Sequence, residues 1–129
     1  MIIPHLHFPG CCAQAIAAYE RAFQTECATT VTNREYGADD DGIAHAEMRI
    51  HGQRIMLNDR FGNKNMSADI ATNLVVTFPS ASALRDCYEA LKDRCTLIDP
   101  LQSLPYSELF VQFIDRFGVQ WCFMVEAED

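Results

Sequence analysis

Two histidines stand two residues apart in "PHLHFPG", and a third lies two residues before a glutamate in "IAHAEMRI". Imidazoles on alternate residues of an extended chain share one face, so His5 and His7 suit three uses: lining a pocket, moving protons near neutral pH, or holding a metal ion. His45, Glu47 and Arg49 share a face in the same way, and a carboxylate there serves either an ion pair or a ligand set. Each has a plainer use as polar lining, and Glu47 with Arg49 reads equally as a charge pair on a half-exposed strand. Cys11 and Cys12 follow Pro-Gly where a helix is expected to begin, and the partial positive charge there lowers a thiol pKa. Filling a turn is their competing role. Asp39, Asp40 and Asp41 are consecutive, without the alternate spacing of a calcium loop, and read as a solvated turn.

Positioning these residues falls to a chain of 129 residues, the usual size of one domain. A formal net charge of −8 with scattered basic residues argues against nucleic acid or an anionic membrane surface as partner, since both select clustered Lys and Arg. No stretch reaches the roughly 18 apolar residues of a membrane span. The first ten residues carry no positively charged leader pattern, so a cytoplasmic location is expected. Six cysteines without a CxxC spacing are expected to be free thiols in that reducing compartment.

Alternation predicts a strand over 2–8, with Ile3, His5 and His7 on one face and Pro4, Leu6 and Phe8 on the other. Ile16, Tyr19, Ala22 and Phe23 recur at three- and four-residue steps and predict an amphipathic helix over 13–23. Strands follow over 26–36, 43–50 and 53–59, the last two joined by a tight turn at His51 and Gly52, with 37–42 a loop. The second half repeats the order. A strand over 73–78 leads to a helix capped by Ser80 or Ser82 and burying Leu84, Cys87, Tyr88 and Leu91. A short strand over 95–102 is expected to stop at Pro100, and strands over 108–115 and 119–126 complete the half. A βαβββ order met twice is an internal repeat: module one about 1–60, a linker over 61–71, and module two about 72–129.

Three segments, "HLHFPGCCAQAIAAYERAF", "IAHAEMRIHGQRIMLND" and "VQFIDRFGVQWCFMV", together resemble the PhnB-like branch of the vicinal oxygen chelate superfamily, which includes glyoxalases, extradiol dioxygenases and bleomycin-resistance proteins. The third is the most specific: aspartate, a basic residue, Phe-Gly, then Trp and an apolar strand. The resemblance implies an α+β fold, one glyoxalase-like domain over 1–129 in which two βαβββ modules with curved mixed sheets enclose a cavity, commonly in a homodimer. It also implies four ligand positions in the metal-using members, on the first and last strands of each module. Here they hold His5, Met56, Asn73 and Cys122, of which His5 matches; Glu would be expected at 56 and 122 and His at 73. Alternation sets these four opposite Leu6, Leu57, Leu74 and Trp121, the last a packing anchor.

The expected cavity lining is therefore His5, His7, Glu47, Met56, Asn73, Tyr106 and Cys122, with Tyr106 and Gln102 on a rim loop over 100–108. Thioether and amide are poor donors for zinc, nickel or iron, so no metal cofactor is expected. The alternative is a divalent metal ion held by His5 and Glu47, with His7 and His45 available to a shifted site. The leading expectation is a cytoplasmic, homodimeric, metal-independent protein that binds a small organic molecule. Its competitor is a metal-dependent enzyme of the glyoxalase lyase or isomerase type, or a dioxygenase. No glycine-rich loop joins a strand to a helix as a nucleotide cofactor requires, and Arg49 and Arg54 are the only cations expected in the pocket.

Overall fold

A strand, a helix and three further strands recur twice along the computed structural model, which describes residues 1–59 and 72–126. The linker expected over 61–71 lies outside the described residues. The chain divides into two compact units, Met1–Ser67 and Ala68–Asp129.

Unit one contains β1 (His5–Phe8), α1 (Cys12–Phe23), β2 (Thr29–Thr32), β3 (Ile43–Ile50) and β4 (Gln53–Asp59). The sheet order is β1-β4-β3-β2, with β1 parallel to β4 and the other pairs antiparallel. The apolar stripe of α1 is buried as its period requires, along with Cys12, Ala15 and Ala18. The sheet face beneath it supplies Phe8, Ala46, Met48, Ile55 and Leu57, all buried. Asp59, only 7% exposed, ties helix to sheet: its carboxylate accepts from Cys12 N and Ile43 N, each at 2.9 Å. His51 and Gly52 carry φ of 49° and 81°, the two positive values that a two-residue turn between twisted strands demands.

Two strands of this unit are shorter than their composition suggests. The first begins at His5. The second stops at Thr32 because Glu35 folds back to accept from Thr32 N at 2.7 Å, and a single 3-10 turn over Arg34–Tyr36 follows. A side chain that satisfies the backbone locally removes the incentive to extend the ladder.

Unit two contains β5 (Leu74–Phe78), α2 (Ala81–Leu91), β6 (Thr96–Leu104), β7 (Ser107–Ile114) and β8 (Gln120–Val125), in sheet order β5-β8-β7-β6. Ser80 caps α2, its hydroxyl accepting from Ala83 N at 3.2 Å, and Leu84, Cys87, Tyr88 and Leu91 are the buried stripe. Below it Phe113 meets Phe123 edge-on with ring centroids 5.1 Å apart, and Trp121 is 1% exposed.

Pro100 does not end its strand. β6 runs through it to Leu104, and the register against β7 shifts on either side of it. Among the described residues β6 pairs only with β7, and an edge strand tolerates a residue with no N–H to give. The rim loop expected over 100–108 is consequently a hairpin with a two-residue turn, Pro105 and Tyr106, between Leu104 and its partner Ser107.

All six cysteines are free thiols. Among the described residues no helix is long and apolar enough to cross a membrane.

Candidate functional site

Alternation along β1, β3 and β4 sends one set of side chains under α1 and the other to the opposite face of the sheet. That opposite face carries His5 and His7 from β1, His45, Glu47 and Arg49 from β3, and Arg54, Met56 and Asn58 from β4. Register brings them together. His5 lies beside Met56, and Met56 lies beside Glu47, so one row crosses three strands; His7 lies beside Asn58.

Five polar side chains of this face are bonded to one another, in two groups. Asn58 Oδ1 accepts from His7 Nδ1 at 2.7 Å, which places a proton on that nitrogen and fixes the tilt of the ring. Arg54 grips Glu47 in bidentate fashion, Nε to Oε2 at 3.0 Å and Nη2 to Oε1 at 2.6 Å, while His45 Nε2 stands 3.3 Å from the same Oε1. The Arg54 guanidinium holds the Glu47 carboxyl below its ordinary range, with the His45 contact adding to the effect and partial burial opposing it. The His5 and His7 rings are 4.3 Å apart between centroids. Burial lowers the His5 pKa, and the neighbouring His7 and His45 lower it further.

Beside Asn58 the unit has a recess of about 320 Å³ lined by Asn33, Tyr36, Ala38, Ala44, Asn58 and Asp59. Near its rim the three aspartates are engaged within their loop: Arg34 pairs with Asp39 and Asp41, and Asp40 accepts from Asn33 Nδ2 and Gly42 N. Of the expected lining residues, His5, His7, Glu47 and Met56 thus share one face of one sheet. Asn58 and the clamp by Arg54 were missed by sequence reasoning; the parity that Asn58 shares with Met56 was the available signal.

The expected residues of unit two do not gather in this way. Cys122 lies beside Val75 and Gln112 in register, so Val75, 55% exposed, holds the place next to Cys122 that His5 holds next to Met56. Asn73 precedes β5 at the end of the sheet where Leu74 pairs with Trp121. Tyr106 projects from the hairpin turn at the other end, beside a recess of about 390 Å³ lined by Pro79, Ser103, Glu108, Val125 and Glu126 among others. Burial raises the Cys122 thiol pKa, with the Asp99 carboxylate adding to it. Cys12 shows the same outcome at a helix start: burial first, then Asp59, push its thiol up against the pull of the helix end.

The donor set fits a hard divalent ion poorly. Met56 stands beside His5 where a carboxylate would be needed, and Glu47, the carboxylate of this face, is already clamped by Arg54. Among the described residues no three His, Cys, Asp or Glu side chains converge on a point that such an ion could occupy.

No family model matches the chain. It is 26% identical over 133 residues to the protein YjdN of Escherichia coli (strain K12), covering 92% of this chain and 90% of that one. Among solved structures, a PhnB protein from Bacillus cereus is 27% identical, with a TM-score of 0.86 over 96% of this chain and 98% of its own. A glyoxylase/bleomycin resistance protein/dioxygenase domain from Frankia sp. EAN1pec shares the fold at 18% identity, with a TM-score of 0.66 over 99% of this chain and 92% of its own.

Proposed function

We propose that this chain, which belongs to the PhnB-like side of the vicinal oxygen chelate superfamily and has the glyoxalase/bleomycin resistance fold, binds a small organic molecule on the face of unit one opposite α1. The observation that carries the reading is the pre-paired polar network of that face. Glu47 and Arg54 neutralise each other, His5 is biased toward its uncharged form, and the His7 ring is held by Asn58. Such a surface offers oriented donors and acceptors, beside a recess of a size that takes a small ligand. No hard divalent ion takes part, because the carboxylate that would bind it is already committed. The reading rests on His5, His7, Glu47 and Met56. Asn73, Tyr106 and Cys122 stay outside it, since the first two occupy opposite ends of their sheet.

The protein that does this is read as a cytoplasmic homodimer with no nucleic-acid or membrane partner, in keeping with its net charge of −8. The competing reading is a lyase, isomerase or dioxygenase with a divalent metal on His5 and Glu47. Ligand-observed NMR with a fragment set, run in EDTA on metal-stripped protein, separates the two. Fragments are expected to bind in EDTA, to move the His7 and Asn58 side-chain signals, and to bind about fivefold or more weakly to His7→Ala. Binding that appears only after nickel, zinc, manganese or iron is restored, and that disappears in His5→Ala, would establish the competitor instead.

A further inference from the structure

Donors that disqualify the face for a hard ion suit a soft one. Met56 sits beside His5 in the parallel pairing of β1 with β4, on the same sheet face, and neighbouring strands lie only ~4.8 Å apart. Its unbranched side chain swings its sulfur over a wide arc. His7 is two residues further along β1, again on that face, with its ring 4.3 Å from that of His5. Metal-binding imidazoles characteristically give their second N–H to an oxygen that fixes tautomer and tilt, and Asn58 Oδ1 does this for His7 at 2.7 Å. The glutamate of the face is held by Arg54 and stands next to His45.

We infer that His5 Nε2 or Nδ1, His7 Nε2 and the Met56 thioether form a site for a soft monovalent d10 cation, Cu(I), which two imidazoles and a thioether suit and which needs neither carboxylate nor octahedral geometry. The proposal is independent of the organic-ligand reading. A face without Cu(I) affinity can still bind fragments in EDTA, and a Cu(I) site can exist whether or not it does.

The experiment uses Ag(I), a redox-inert d10 ion, with full-length protein labelled with ¹³C at the methionine methyls. Cys11, Cys27 and Cys95, the less buried thiols, are replaced by Ser so that they do not capture the metal. One equivalent of Ag(I) is expected to shift the Met56 methyl together with the ring C–H signals of His5 and His7. Affinity should fall about tenfold or more in both Met56→Leu and His7→Ala, each checked for folding by circular dichroism, while Asn58→Ala weakens binding without abolishing it. Zinc at the same concentration should leave the Met56 methyl in place. A Met56 methyl that does not move with Ag(I), or Ag(I) affinity equal in all three variants, would overturn the site.

Discussion

Asp115 organises unit two through three bonds from one buried carboxylate. Oδ1 accepts from Phe117 N at 2.9 Å and Val119 N at 3.0 Å, and Oδ2 accepts from Trp121 Nε1 at 2.8 Å. The Asp-Arg-Phe-Gly-x-x-Trp pattern is therefore legible as structure: an aspartate that closes the turn into β8 and holds the indole under α2. Asp115→Ala is expected to cost about 3 kcal/mol in urea unfolding, because it strands two buried donors and a half-buried one at once. A loss under about 1 kcal/mol would show that the clamp is not a principal support. Glu47 makes the second residue-scale prediction. Its carboxyl is held down chiefly by Arg54, so the folded state releases the proton more readily than the unfolded chain does. The stabilisation is complete above the ordinary carboxylate range and is lost as pH falls through the lowered value. The difference in Tm between wild type and Glu47→Gln should be largest near neutrality and shrink as pH falls below the ordinary carboxylate range. A difference that holds constant across that range would detach the pair from stability.

At the scale of elements, hydrophobic period was a dependable guide and local competition was not. Both helices, their buried stripes and the double βαβββ order follow from where Ile16, Tyr19, Leu84, Tyr88 and their neighbours recur. The end of β2 was not readable, because it depends on Glu35 turning back onto Thr32 rather than on strand propensity. The passage of β6 through Pro100 depends on which strand is at the sheet edge, a property of topology that no local window contains. The site was legible in the same uneven way. Parity put His5, His7, Glu47 and Met56 on one face, but register decides neighbours, so the clamp by Arg54 and the place of Val75 beside Cys122 came only with the fold. If Pro100 also protects an open edge, Pro100→Thr should leave unfolding free energy within about 0.5 kcal/mol while raising self-association in sedimentation velocity. Unchanged sedimentation would leave the proline without that role.

In the whole molecule the two units have diverged in chemistry while keeping one topology. The row His5, Met56, Glu47 in the first corresponds to Val75, Cys122, Gln112 in the second, so an imidazole, a thioether and a carboxylate stand where the other sheet has a valine, a thiol and an amide. That asymmetry confines the proposed chemistry to unit one. It also explains why a four-ligand arrangement drawn equally from both modules has no counterpart in these side chains. The claim on which the functional account depends is that the face of unit one opposite α1 holds no hard or borderline divalent ion. Elemental analysis of untagged protein, as purified and after reconstitution with nickel, zinc, manganese and iron followed by desalting, tests it directly. The account predicts well below one equivalent of each of these four metals. Near-stoichiometric retention of any of them that disappears in His5→Ala would contradict it.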